Sequence, residues 1–341
     1  MNIKALINTL TTSAHTLPIA VLYVTERCNL RCITCSYRAA AQGELSLKEI
    51  EDVALVLSQL GLRHIVYSGG EPLVRQDFPS ICKAFAHYGV RQTLLTNGIL
   101  LRKRLAEIRT HLSEIVVSLD GADARTHDGI RGATSFEHIL EGMRLNDDMG
   151  LFSIRTVLQK QNFRQLKALI ALGRSLSVRR ISFLAADVSP DAFGREAHGP
   201  AAPIDGVALT SQETHVFRKL VDDLAVTCKT DFTSGFITES PQKLFQIVQY
   251  YEALAGIAPF PPTYCNAPMI SCVITSTGDL LPCFFLPRYG NIRTTGLRTL
   301  INSPGIRRTR RDLRRGNLNR CKTCVCTLHV QPVTALLDRF A

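Results

Sequence analysis

The sequence predicts an α/β protein: an open, partial (β/α)6 TIM-like barrel with a small cysteine-rich C-terminal extension. Three observations carry this. Six short apolar runs of strand length alternate with helical stretches between Ile19 and Asp187, the pattern of a parallel sheet with right-handed crossovers. Polar or glycine-rich turns follow those runs, at the end where parallel α/β enzymes place their sites. Six of the eleven cysteines fall after residue 264, a shift in composition that marks off the tail. Six units are too few for the closed eight-stranded barrel, so the barrel is expected to be open.

The elements follow in order. Ile19 to Val24 is apolar throughout and reads as a buried strand. Ser46 and Glu49 form a capping box opening a helix that runs to Leu60 and stops at Gly61. Ile65 to Tyr67 begins the second strand, ending in Ser68-Gly69-Gly70-Glu71-Pro72. A helix around Pro79 to Tyr88 leads to a third strand, Gln92 to Leu95, which ends in Thr96-Asn97-Gly98. After another helical segment, strand four spans Glu114 to Leu119 and ends in Asp120-Gly121. Helix Ser135 to Met149, strand Phe152 to Leu158, helix Asn162 to Leu176 and strand Arg180 to Leu184 complete the alternation. Val188 to Gly206 reads as a linker or lid. Helices are expected over Leu209 to Val226, with Ser211 as a possible cap, and over Pro241 to Leu254.

Composition bounds the function. The 341 residues are 45% hydrophobic and 20% charged, ordinary for a globular protein, and no run approaches the roughly 18 apolar residues of a membrane span. Met1 to Pro18 lacks the apolar core of a signal peptide and reads as a short helix, so a cytoplasmic location is expected. Without an export signal, eleven cysteines favour metal binding over disulfides. Net charge is +11, and seven of the fourteen residues from Arg307 to Arg320 are Arg. Such a run can hold nucleic acid, but no aromatic platform is interleaved with it. A solvated basic helix is preferred, and RNA binding is kept as the alternative function.

The chemistry concentrates at Cys28, Cys32 and Cys35, spaced C-x3-C-x2-C directly after the first strand. A four-iron cluster takes one ligand per iron, so three thiols leave one iron open for chemistry. A zinc knuckle with a distant fourth ligand, or three unrelated thiols, fits the spacing too. In the tail, Cys321 and Cys324 form a C-x2-C half-site; spacing alone does not separate zinc from iron–sulfur there. Arg131 and Arg155 lie near the rim, where either could bind a carboxylate or simply face solvent.

Taken together, Cys28-x3-Cys32-x2-Cys35 and Gly69-Gly70-Glu71-Pro72 resemble the double signature of the radical S-adenosylmethionine (SAM) superfamily. The likeness covers Ile19 to Asp187. The tail resembles that superfamily's SPASM/Twitch extension: Cys265, Gly278 and Cys283 fit C-x9-15-G-x4-C, and Gly290-Asn291-Ile292 recurs there. The resemblance implies residues 1–18 as an N-terminal helix, 19–187 as the catalytic barrel, 188–260 as linker and lid helices, and 261–341 as an auxiliary-cluster domain. It implies a SAM-binding 4Fe-4S cluster on Cys28, Cys32 and Cys35, with SAM chelating the open iron. It further implies a second, auxiliary 4Fe-4S cluster on Cys265, Cys283, Cys321 and Cys324. Cys272 and Cys326 are then spare, or one of them substitutes. SAM contacts are implied for Thr34, Gly69, Gly70, Glu71, Ser118, Asp120 and Leu184, with Ala185 beside the last. The family carries an aromatic residue where this chain has Thr34, so the Thr34 backbone is expected to approach the adenine. The implied activity is reductive cleavage of SAM to a radical that takes hydrogen from a small-molecule or peptide substrate. An electron donor such as flavodoxin or ferredoxin is implied as partner, and nucleic acid is disfavoured.

Overall fold

The computed structural model describes residues 7–8, 10–37, 41–145, 150–189, 193, 195, 204–326 and 328. Strands β1 (Ile19–Thr25), β2 (His64–Gly69), β3 (Arg91–Thr96), β4 (Glu114–Ser118), β5 (Phe152–Leu158) and β6 (Ile181–Ala185) stand side by side in chain order. Every neighbouring pair is parallel. Between them run α1 (Leu47–Gln59), α2 (Phe78–Ala86), α3 (Leu101–Ile108), α4 (Ala124–Arg131), α5 (Phe136–Arg144) and α6 (Leu166–Ser175). The capping box of α1 is present: Glu49 N–H donates to Ser46 Oγ at 3.3 Å and Ser46 N–H to Glu49 Oε2 at 2.8 Å.

Alternation along β1 separates two environments. Ala20, Leu22 and Val24 enter the large core with Ile50, Val53 and Leu57 of α1, while Val21 and Tyr23 face inward with Val66, Val273 and Phe284. Each fully buried Leu or Ile contributes roughly 1.5–3 kcal/mol, and the helix-side core holds dozens of such side chains around the sheet. The inner-face cluster is much smaller, with Val21, Tyr23 and Val273 as its buried members.

The cysteine-rich tail joins the same sheet. β7 (Ser271–Ile274) pairs in parallel with β1, Cys272 opposite Ala20, and β8 (Asp279–Leu281) and β9 (Gly290–Asn291) continue antiparallel. The sheet thus has nine strands, ordered β6-β5-β4-β3-β2-β1-β7-β8-β9. α7 (Ser211–Thr227) and α8 (Pro241–Leu254) pack on one another beside β6. α9 (Pro304–Arg314) carries most of the arginine run.

Several local expectations shift. The cap of α7 is Thr210, one residue before Ser211, because Thr210 and Glu213 complete a reciprocal capping box. The helix expected from Asn162 begins with a 3-10 turn at Phe163–Gln165. Helix α4 was not foreseen; only His127 and Ile130 of its eight residues are buried, too few to show a period. Of the helix expected to reach Met149, residues 146–149 lie outside the described residues, as do most of the 188–206 linker and residues 1–6. Among the described residues no helix is long and apolar enough to cross a membrane.

Candidate metal and cofactor site

The Cys28–Cys35 loop leaves the carboxyl end of β1 and is braced on three sides. Below it, Gly70 N–H donates to Thr25 O and Glu71 N–H to Arg27 O, both at 2.8 Å. The glycines allow that approach: Cβ atoms at Gly69 and Gly70 would stand 2.2 Å from Thr25 O and Arg27 O, and Gly69 has φ +120. Their observed task is thus to seat the loop backbone against the end of β2, with any SAM contact added to that. Glu71 is 1% exposed, and its Oε1 accepts from Leu73 N–H (3.0 Å) and Thr96 Oγ1 (2.7 Å), its Oε2 from Asn97 N–H (2.7 Å). Burial pushes its pKa up, against the pull of these donors. Asn97 then reaches the loop: Nδ2 donates to Asn29 Oδ1 at 2.7 Å and stands 4.0 Å from Cys28 Sγ. Sequence reading put Asn97 on the rim without giving it this task.

On the second side stands the unforeseen helix α4. Arg131 pairs with Asp120 Oδ2 at 2.6 Å and lies 3.8 Å from Cys32 Sγ. Its carbonyl and that of Ile130 accept from Arg31 and Ile33 N–H (3.3 and 3.0 Å). Gly132, at φ +73, makes the contact possible, since a Cβ there would lie 2.4 Å from Arg31 O. Asp120, one of the implied SAM contacts, gives Oδ1 to Val157 N–H at 2.8 Å and Oδ2 to Arg131. Ser118 and Leu184 are partly exposed at the same strand ends, the latter beside buried Ala185.

The third side joins the two thiol regions. Thr34 O accepts from Arg195 Nη1 at 2.7 Å; Arg195 Nη2 donates to Asp187 Oδ1 at 2.5 Å, and Arg320 Nη2 to Asp187 Oδ2 at 2.8 Å. Arg320 lies over Phe285 and precedes Cys321. Asp187 and Arg195 are nearly fully buried, and a buried carboxylate held by two guanidiniums is costly to break.

In the tail, Cys265, Cys283, Cys321, Cys324 and Cys326 line one cavity of about 160 Å³ with mainly apolar walls. Cys272 is absent from it and packs in the core through its place on β7; Cys326, the other spare candidate, is present. Among the described residues no three His, Cys, Asp or Glu side chains converge tightly enough for a single metal ion. The thiols surround a space, which suits a group of several atoms.

The donor chemistry fits iron–sulfur clusters. Burial pushes the Cys28 thiol up to about 11 and those of Cys283 and Cys324 up to about 12. Such thiols stay protonated until a metal displaces the proton. Buried polar groups with hydrogen-bonding capacity to spare stand at the strand ends as well. Both side-chain polar atoms of Gln159, one residue beyond β5 and 0% exposed, find no partner among the described residues, nor does Arg131 Nε.

A parallel partial barrel with a three-thiol loop on its rim and a second thiol group on its edge defines an iron–sulfur enzyme. The model of the radical SAM superfamily matches residues 22–173, and that of the SPASM iron–sulfur cluster-binding domain residues 265–325. The chain thus holds a radical SAM superfamily domain and, at its C-terminal end, a SPASM domain, with SAM and 4Fe-4S clusters as the cofactors. It is 27% identical over 300 residues to the AdoMet-dependent heme synthase of Methanosarcina barkeri, covering 85% of this chain and 83% of that one. To the GTP 3',8-cyclase of Cronobacter sakazakii it is 29% identical, covering 77% and 79%. In fold it is similar to Streptococcus suis SuiB bound to S-adenosylmethionine, at TM-score 0.65 and 16% identity over 98% of this chain and 77% of that one.

Proposed function

We propose that Cys28, Cys32 and Cys35 hold the SAM-activating cluster, that the tail cavity holds an auxiliary one, and that the substrate is a small anionic molecule. The observation that carries the first part is the place of the cysteine loop, at the carboxyl ends of the parallel strands and braced by Glu71, Asn97 and Arg131. When bound, the cluster and SAM supply one-electron cleavage of the S–C5′ bond, giving methionine and a 5′-deoxyadenosyl radical that takes a hydrogen atom from substrate. The chain's own residues position and shield. Gly69 and Gly70 set the loop height, Arg131 places positive charge beside Cys32, and Gln159 offers a donor and an acceptor to a polar ligand.

Arg155 supports the substrate class. It lies on the inward face of β5, is partly buried, hydrogen-bonds Ser182 Oγ at 3.2 Å, and forms no ion pair among the described residues. A partly desolvated guanidinium that feels the nearby Glu239 carboxyl but is not ion-paired to it suits an anionic substrate group. Relatives named for heme synthesis and GTP cyclisation agree with a small molecule; a peptide is the competing outcome.

Reduced protein with SAM is expected to release 5′-deoxyadenosine. Joint replacement of Cys28, Cys32 and Cys35 by Ala should abolish this while the tail retains about four irons. Continued cleavage by that variant would place activation elsewhere. Arg155→Gln should leave uncoupled cleavage intact but remove its acceleration by anionic small molecules, with KM rising on the order of tenfold. Acceleration by neutral peptides alone, unaltered in the variant, would overturn the substrate class.

A further inference from the structure

The outer face of α9 carries charge that the fold does not use. Ile306 and Arg310 are buried on one side of this helix, and Leu313 lines the tail thiol cavity. Within the helix only Arg310 is buried among the arginines, donating to Pro268 O and Thr12 O; Arg314 is exposed but committed to the fold, donating to Leu10 O and Asn8 O. Arg307, Arg308, Arg311 and the C-cap Arg315 are exposed too. Spaced i, i+4 and i+8, Arg307, Arg311 and Arg315 form one stripe, turned away from the cavity-lining side. None of the four forms an ion pair among the described residues. Like charges at this spacing repel by a few tenths of a kcal/mol per pair, a local cost that a negatively charged partner would relieve.

What lies behind the stripe narrows the partner. A single helix, about 10–12 Å across with its side chains, separates these arginines from the cavity of Cys265, Cys283, Cys321, Cys324 and Cys326. A nucleic acid would gain nothing from that proximity, and the stripe lacks aromatic side chains for bases to stack on. A redox protein would gain a short path to an iron–sulfur centre. We propose that the exposed face of α9 is the docking surface for an acidic one-electron carrier protein bearing a low-potential flavin or iron–sulfur centre. This rests on the radical SAM reading above with a cluster in the tail cavity. In the transfer the carrier would lose one electron, the tail centre would gain it and pass it on to the Cys28–Cys35 centre, and no bond forms or breaks.

The test uses the full-length, cluster-loaded protein and an acidic flavodoxin as probe. Calorimetric binding and flavodoxin-driven SAM cleavage are measured across a salt series, beside cleavage driven by dithionite. Arg307, Arg308, Arg311 and Arg315 are changed together to Glu, and a milder Arg307→Gln, Arg311→Gln pair covers a failure to fold. The expected result is at least about tenfold weaker flavodoxin binding and a flatter salt dependence, with dithionite-driven cleavage and iron content unchanged. Unaltered binding and salt dependence in a folded variant overturn the proposal. So does the loss of a salt-dependent RNA complex from the variant while flavodoxin still binds normally, which would give the face to nucleic acid. Failure of dithionite to support cleavage in the unmodified protein would count against the radical reading instead, and the binding arm would still judge the surface.

Discussion

Glu239 shows how much a single side chain can depend on its surroundings. It stands just before α8, with Oε2 accepting from Phe183 N–H at 2.7 Å, and burial pushes its pKa from 4.5 up to about 7 despite that donor and nearby Arg155. Between those two values the folded chain keeps a proton that the unfolded chain has lost. Stability is therefore expected to fall as pH rises from about 4.5 to about 7, and to level off above, by roughly 2 kcal/mol allowing for partial exposure. Glu239→Gln keeps the acceptor and removes the charge, so its melting temperature should exceed that of the unmodified protein at pH 8 and match it near pH 4. A variant that loses stability at pH 8 would refute this account. No sequence pattern announces such a residue. The same holds for Asn97 against Asn29, or Arg195 against Thr34, because these contacts join positions 68 and 161 residues apart. The thiols were legible because their spacing is local; their braces were not.

At the scale of elements, legibility followed hydrophobic periodicity. β5 and α8 begin and end where the apolar pattern places them, Phe152–Leu158 and Pro241–Leu254. α4 stayed hidden because only His127 and Ile130 of its eight residues are fully buried, too few to print an apolar period, yet it supplies the Arg131 contact to Cys32. The glycine pair after β2 was legible as a site, while its backbone partners Thr25 and Arg27 were not. That partnership has a measurable consequence. In Gly70→Ala the new Cβ would meet Arg27 O at 2.2 Å and Glu26 O at 2.6 Å, backbone atoms that cannot rotate aside. The cost should be roughly 1–3 kcal/mol in thermal or denaturant unfolding, with the cysteine loop displaced. Iron at the first site should drop while tail iron is retained. Equal loss at both sites would instead indicate general unfolding.

Over the whole molecule, the tail and the barrel share one sheet and one set of internal clips. Arg310, 1% exposed, joins two distant segments through Thr12 O (3.1 Å) and Pro268 O (2.7 Å), and also donates to Asn302 Oδ1 (3.1 Å) just before its own helix. Arg310→Met should cost about 3–5 kcal/mol, since buried acceptors lose a charged donor. The variant's N-terminal segment should also be cut faster by protease. Unchanged cleavage there would mean the clip does not govern that segment. In the sequence this residue was one of seven arginines in a basic run, and nothing local separates it from its exposed neighbours.

The parallel pairing of β7 with β1 also carries a cost in time. Ile19 meets Ser271, so one edge of the first strand waits for a partner made far later. At about 5–20 residues per second on the ribosome, that wait is roughly 12 to 50 seconds. During it, a row of unpaired backbone groups beside apolar side chains stands open to strands of other chains. A nascent chain stalled before residue 271 should therefore be held by chaperones or aggregate, even with the Cys28–Cys35 loop already synthesised.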